Sequence, residues 1–238
     1  MALQPWRTGK VINIIQETHN TRRYVIQIPE LEKFDFIPGQ FVTLDLPIHE
    51  KPNKRIRSYS IASWPDGTNV LELVIVLLEG GLGTTYLFNN IVVGSELTLR
   101  GPQGVFTLDD EDLQKDIIMI CTGTGIAPFR SMATHIKLHN IPHNNIYLLF
   151  GTRKKTDLLY YEEMKSLQLE KFHYIPTLSR EEWDGRTGYV HPIYEELCAS
   201  KQPALFLLCG WKVMIDEAKQ RILAMGYDKK SIHQELYG

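Results

Sequence analysis

Cysteine is scarce in this chain, and what there is of it is scattered. Cys121, Cys198 and Cys209 are the only three among 238 residues. An odd, dispersed set makes no disulfide framework. With no C-x-x-C or C-x-x-x-x-C spacing, it offers neither an iron–sulfur nor a structural zinc site. Long apolar runs are missing too. Leu73–Leu78 and Ala204–Cys209, among the longest, are far too short to span a bilayer. The opening M-A-L-Q-P-W-R-T-G-K lacks a signal-peptide apolar stretch, so a reducing, cytoplasmic setting is expected. Neither sign of charge is in excess. A net charge of −2 gives no global attraction to nucleic acid or to an anionic membrane. Internal repeats, low-complexity segments and disordered linkers are absent as well.

What is present fits a soluble globular protein, with 43% apolar and 23% charged residues. The length suits two domains of about 100–130 residues each. Lys10–Ile15, Arg23–Ile28, Phe41–Leu46, Ile56–Ala62, Val70–Leu78 and Glu96–Arg100 are short, β-branched and mostly alternating. Pro38-Gly39, Asp66-Gly67, Gly80-Gly81 and Gly101-Pro102 supply turn signals between them. This predicts an antiparallel barrel, interrupted by a helix after Thr84.

The pattern changes at the acidic stretch Asp109–Asp112. Apolar strands at Ile117–Cys121, Ile146–Phe150, Phe172–Leu178, Ala204–Cys209 and Ile232–Tyr237 alternate with helical stretches. Those stretches are Pro128–Leu138, Leu159–Leu169, Pro192–Leu197 and the one carrying Ile215, Ala218, Ile222 and Met225. The expected architecture is two-domain. An N-terminal antiparallel β-barrel covers residues 1–108, and an α/β doubly wound parallel sheet covers residues 109–238.

Three segments carry candidate chemistry. Cys121-Thr122-Gly123-Thr124-Gly125-Ile126-Ala127-Pro128 runs from a strand into a helix, with Pro128 placed for the first helical turn. Glycine lets a phosphate approach the main chain, and the helix N-terminus offers free N–H groups to an anion. A plain strand–helix turn reads the same way. Arg57, Tyr59 and Ser60 offer a cation, an aromatic plane and a hydroxyl, the three things a flavin needs. An ordinary exposed strand would look alike. Gly80-Gly81-Leu82-Gly83-Thr84 is either a second phosphate cradle or a glycine-rich hairpin.

Their order decides between these alternatives. Arg-x-Tyr-Ser in a barrel, a Gly-Gly turn into a helix, G-P-x-G-x-F at 101–106 and then T-G-T-G-I-A-P resembles the ferredoxin–NADP⁺ reductase family. Phe150-Gly151-Thr152-Arg153 with Asp157-Leu158-Leu159-Tyr160, Leu178-Ser179-Arg180-Glu181, Cys209-Gly210 and the terminal Glu235-Leu236-Tyr237 continue the likeness across the whole chain.

The resemblance implies roles. Arg57 would pair with the flavin pyrophosphate, Tyr59 would stack on the isoalloxazine, and Ser60 would reach its N5 edge. Ser58 and Ile61 complete that flavin-binding strand. Gly81, Leu82, Gly83 and Thr84 would hold the pyrophosphate from the other side. Thr122, Gly123, Thr124, Gly125 and Pro128 would bind the pyridine-nucleotide pyrophosphate. Cys209 would stand beside the nicotinamide as a packing and positioning group, and Glu235 near it or a proton path. Tyr237 would cover the flavin face and act as a gate. The two binding motifs would then be halves of one active site.

The implied cofactor is FAD, in preference to FMN. For the nicotinamide, Arg153, Ser179, Arg180 and Arg186, with Lys154 and Lys155, favour NADP(H), because a 2′-phosphate wants cations and hydroxyls. NAD(H) is the alternative, and Glu181 and Glu182 temper the cationic cluster. The expected partner is a small electron carrier, ferredoxin or flavodoxin. The alternative enzyme is an NADH-dependent reductase serving an oxygenase, cytochrome or free flavin. A non-catalytic subunit with one decayed nucleotide site is the reading from another class. Two features depart from the family pattern: Trp211 follows Cys209-Gly210, where its bulk either reshapes the nicotinamide pocket or, the favoured reading, packs against the final helix, and Gly238 follows the terminal aromatic. His135, His139 and His143 recur every four residues, but Pro142 breaks the helix and no carboxylate follows at ligand spacing. No metal site is expected.

Overall fold

A computed structural model describes residues 4–237, so the Gly238 departure lies outside the described residues. The chain divides into two compact units. The first runs to Thr107 and takes in Arg130–His135; the second comprises Leu108–Phe129 and Ile136 onward.

In the first unit, β1 (Arg7–Thr18), β2 (Thr21–Gln27), β3 (Phe41–Asp45), β4 (Ile56–Ser60), β5 (Val70–Val76) and β6 (Glu96–Gln103) form one sheet, ordered β4-β3-β6-β1-β2-β5. Its strand pairings are antiparallel. The two end strands meet through a bridge between Ile61 and Leu73, and the Ala62 N–H donates to the Glu72 carbonyl at 2.8 Å. That contact closes the sheet into the expected barrel and leaves fewer open strand edges. Its interior is filled by alternating inward residues, including Tyr24, Ile26, Val42, Leu44, Leu71, Leu73 and Leu99. Helix α1 (Leu82–Asn90) follows β5. It starts before Thr84, so half of the glycine-rich loop is its first turn.

In the second unit, β7 (Asp116–Thr122), β8 (Ile146–Thr152), β9 (Phe172–Leu178), β10 (Arg186–Thr187), β11 (Ala204–Trp211) and β12 (Ile232–Tyr237) form a parallel sheet, ordered β10-β9-β8-β7-β11-β12. The interspersed helices are α2 (Ala127–Leu138), whose Arg130–His135 belong to the first unit, α3 (Tyr161–Lys165), α4 (His191–Leu197) and α5 (Lys212–Ala224). The central strands β7 and β11 bury almost every residue, as a parallel sheet covered on both faces must. On one face α4 and α5 contribute Ile193, Tyr194, Ile215, Ala218 and Ile222 to a core with Ile118, Ile120, Phe206 and Leu208. The helix expected over Leu159–Leu169 is shorter: Tyr160 takes φ of 54° and α3 covers only Tyr161–Lys165. The two-residue β10 carries too little apolar alternation to be visible in the sequence.

Chain order runs outward from β7 through β8 and β9, then returns to β11 on the other side of β7. The switch in direction therefore falls between β7 and β11. In open α/β sheets, ligands bind outside the carboxyl ends of the strands at such a point. Thr122 and Trp211 stand at those ends.

Candidate functional site: two phosphate-binding turns

In the barrel, β4 pairs with β3 so that Arg57 lies opposite Leu44, Ser58 opposite Thr43, Tyr59 opposite Val42 and Ser60 opposite Phe41. Tyr59 packs against the barrel core, while Ser58 is exposed and its hydroxyl lies 3.2 Å from that of Thr43. Ser60 is buried. Ile61 is buried in the core and its N–H donates to Gln40, which leaves its side chain no free surface. Burial pushes the Tyr59 phenol up to about 12; the Arg57 charge pulls down against this, and Tyr24 adds a smaller upward push.

Arg57 and the glycine turn come together. A Cβ on Gly83 would stand 3.0 Å from Cγ and 3.2 Å from Nε of Arg57. Gly83 sits in the first turn of α1, which carries no acidic residue and whose N-cap, Gly81, makes no side-chain cap. The Arg57 guanidinium donates to the carbonyls of Lys54 and Ile56 at 3.1 and 2.7 Å, and an anion beside it and the positive end of the helix would be attracted by both. This is the local chemistry of a phosphate site, and these residues fit a flavin pyrophosphate. Thr84 differs from expectation. Its hydroxyl accepts from the Leu78 N–H at 3.1 Å and lies 3.2 Å from the Gly81 carbonyl, so it staples the turn.

The second turn is built at the β7–β11 switch. Gly123–Ile126 forms a 3-10 turn that leads directly into α2, with Pro128 as the helix's second residue. Gly123 has φ of 55°, which favours glycine. A Cβ on Gly125 would meet the Cys209 carbonyl oxygen at 2.4 Å, and one on Gly210 would meet Oγ1 of Thr122 at 2.6 Å. T-G-T-G and C-G are therefore one interlocked piece. Thr122 Oγ1 accepts the Trp211 backbone N–H at 3.3 Å. Thr124, Gly125 and Pro128 are buried, so Thr122 and Gly123 are the members of this turn with exposed surface.

Cys209 lies in register with Cys121 on one side and Glu235 on the other, and both cysteines are fully buried. Burial pushes the Cys209 thiol well up, with smaller upward contributions from Glu235 and Cys121, while a hydrogen bond with Tyr237 pulls it down. It is a neutral packing group. Glu235 and Tyr237 are half-buried along β12.

At the ends of β8 and β9, Arg153, Ser179 and Arg180 lie side by side. The Ser179 and Arg180 N–H groups donate to the carbonyls of Thr152 and Arg153 at 2.9 and 3.0 Å. Arg153, Lys154 and Arg180 are exposed, and no salt bridge to a described residue engages them. Arg186 is different: Glu196 holds its guanidinium at 2.9 Å. Glu181 also acts at this corner, accepting the Lys155 N–H at 2.9 Å.

Some contributors escaped the sequence reading. Arg130, nearly fully buried within the first unit, donates to the Ala62 carbonyl at 2.9 Å and to Glu72 at 2.6 Å. Its charge amid Phe129, Met132 and Ala133 was the available signal. Trp211 caps the start of α5. It is half exposed, and its Nε1 lies 3.9 Å from where a Gly123 Cβ would be. Among the described residues no cluster of His, Cys, Asp or Glu is arranged to hold a metal ion, and no helix is long and apolar enough to cross a membrane.

Comparison with known proteins covers both halves of the chain. A family model for an oxidoreductase FAD-binding domain matches residues 8–108, and one for an oxidoreductase NAD-binding domain matches residues 119–220. The chain is 35% identical over 215 residues to ferredoxin–NADP reductase B of Sorangium cellulosum, covering 86% of each protein. It is 30% identical over 249 residues to the glycine betaine monooxygenase reductase subunit of Pseudomonas aeruginosa, covering 99% of this chain but 66% of that protein. Among solved structures, the Amycolatopsis cytochrome P450 reductase GcoB is similar with a TM-score of 0.86 and 26% identity, over 99% of this chain and 71% of that one. A Neisseria gonorrhoeae ferredoxin NADP⁺ reductase with bound FAD and NADP shares the fold at a TM-score of 0.79 and 24% identity, over 97% and 98% of the two chains. With FAD-binding and NAD-binding oxidoreductase models matching its two halves and a ferredoxin–NADP reductase relative at 35% identity, the chain belongs to the ferredoxin–NADP⁺ reductase family of NAD(P)H-dependent flavin oxidoreductases.

Proposed function

We propose that this protein takes a hydride from NADPH onto FAD and passes single electrons to a small carrier such as ferredoxin or flavodoxin. The likeness to a ferredoxin–NADP reductase over 86% of both chains is the observation that carries this reading. Bound FAD supplies an acceptor that takes two electrons together and gives them up singly. The protein's part is to bind, orient and exclude water. Arg57 and the first turn of α1 hold the flavin pyrophosphate, with Gly81, Leu82 and Gly83 giving backbone access and Thr84 fixing the turn. Tyr59 stacks on the ring, Ser60 donates to its edge, and Ser58 and Ile61 hold the strand between solvent and core. Thr122–Gly125 and Pro128 form the nucleotide pyrophosphate turn. Cys209 positions the nicotinamide by its bulk, Glu235 serves a proton path, and Tyr237 is a movable cover.

The preference for NADP(H) is supported by the exposed Arg153, Lys154 and Arg180 beside Ser179, a set suited to a 2′-phosphate. Arg186 contributes only by exchanging Glu196 for that phosphate. The second reading, an NADH-dependent reductase component of an oxygenase, is favoured by the reductase relatives of monooxygenases and dioxygenases. The chain spans 66% and 54% of the length of two of these.

Anaerobic titration tests both readings. The purified protein should carry FAD, and NADPH should bleach it faster than NADH. The reduced protein should then reduce ferredoxin or flavodoxin. Absence of flavin, or flavin that neither nucleotide reduces, would overturn the proposal. Faster reduction by NADH, with electrons accepted only by an oxygenase component or free flavin, would favour the second reading.

A further inference from the structure

Trp211 is placed where a purely structural tryptophan has little reason to be. It closes β11 at the carboxyl end of the sheet, beside the switch point, and stays 49% exposed. A large indole left half in water gives up much of its burial free energy. Its backbone is tied down, because its N–H donates to Thr122 Oγ1 at 3.3 Å and Gly210 before it is wedged against Thr122. Among the described residues, and apart from its chain neighbours and its own turn's backbone, the indole Nε1 is the atom within 4 Å of a Cβ position on Gly123, at 3.9 Å. No hydrogen bond joins the indole N–H to a described residue. The ring edge that can donate is thus held over the one residue of the turn that has both positive φ and exposed surface.

We propose that Trp211 is a nucleotide-binding residue, whose indole N–H donates to the pyrophosphate of a dinucleotide seated on the Thr122–Ile126 turn. This rests on the reading of that turn as a pyridine-nucleotide site. The indole Nε1 stands beside a turn whose backbone N–H groups are donors, and an anion is the chemistry that both can bind. A donor without a competing acceptor also discriminates by charge rather than by base or by 2′-substituent. Trp211 therefore strengthens binding of NADP⁺ and NAD⁺ alike, in contrast to Arg180.

The test is solution NMR on the flavin-loaded, ¹⁵N-labelled protein, which has four tryptophans and hence four indole N–H signals. The Trp211 signal is the one missing from Trp211→Phe. It should shift on titration with NADP⁺ or NAD⁺, and equally with the ADP-ribose counterparts that lack nicotinamide. Trp211→Phe should keep its flavin and weaken both nucleotides about tenfold, the effect of losing a hydrogen bond to a charged group. Saturable binding with an unmoved Trp211 signal, or unchanged affinity in Trp211→Phe, would overturn the inference while leaving the turn assignment standing. A shift only with nicotinamide-bearing ligands would overturn the pyrophosphate contact. No binding of any of these ligands by the wild type would overturn the assignment of the turn, and the inference with it.

Discussion

Gly83 lies directly against the side chain of Arg57: a Cβ at Gly83 would stand 3.0 Å from Arg57 Cγ. A guanidinium and a helix N-terminus are thereby held at one place, where one anion can interact with both. Arg57→Ala should raise the dissociation constant for FAD about tenfold or more, the scale of a charged hydrogen bond. Gly83→Val should push the arginine aside and act in the same direction. Flavin release on dialysis, read by absorbance, checks both; full retention in both would contradict the phosphate role.

Tyr59 carries a different signature. Its phenol is pushed up to about 12, mainly by burial, so the folded state keeps a proton that the unfolded state loses near 10. Its contribution to stability should be intact below pH 10 and fade as the pH rises toward 12. Ultraviolet titration should show a tyrosine ionising late that disappears in Tyr59→Phe. Tyr59→Ala should loosen the flavin, whereas Tyr59→Phe should retain it.

Gly125→Ala should damage the second unit. The new methyl would meet the Cys209 carbonyl oxygen at 2.4 Å, and a strand backbone cannot move aside as a side-chain tip can. A loss of roughly 1–3 kcal/mol is expected from overpacking. Denaturant unfolding measures it, and nucleotide affinity should fall in parallel.

Arg180→Ala should raise KM for NADPH far more than KM for NADH, because its exposed guanidinium is not committed to an acid among the described residues. Arg186→Ala should do less, since Glu196 already holds that side chain. Equal effects of Arg180→Ala on both nucleotides would contradict a 2′-phosphate site.

His191 sets a pH dependence of stability. It is buried, its Nδ1 lies 2.9 Å from the Tyr194 hydroxyl, and burial holds its pKa below the ordinary value despite the opposing Glu217. The unfolded chain therefore takes up a proton before the folded one does. The stabilisation is present above about pH 6.5 and is lost as the pH falls through and below that value. Thermal unfolding between pH 5 and 8 should show a shallower slope in His191→Phe than in the wild type.

Much of this molecule was legible in its residues because the responsible physics is local. Alternation in Val70–Val76, the apolar run of Ile117–Cys121 and the glycine spacing of T-G-T-G each act over a few neighbours, and the expected strands all formed. Helix α3 and strand β10 were misjudged or missed because they are short, and a left-handed Tyr160 leaves no compositional trace.

The sequence by itself determined two kinds of domain, a barrel and a wound parallel sheet, and which segments present glycine-rich turns. The tertiary structure alone decided what those turns meet. It set Arg57 on Gly83, locked Gly125 against Cys209, and brought the Trp211 indole to Gly123. Each of these joins residues far apart in the chain. Close packing and charge pairing depend on distance in space, which residue spacing does not encode.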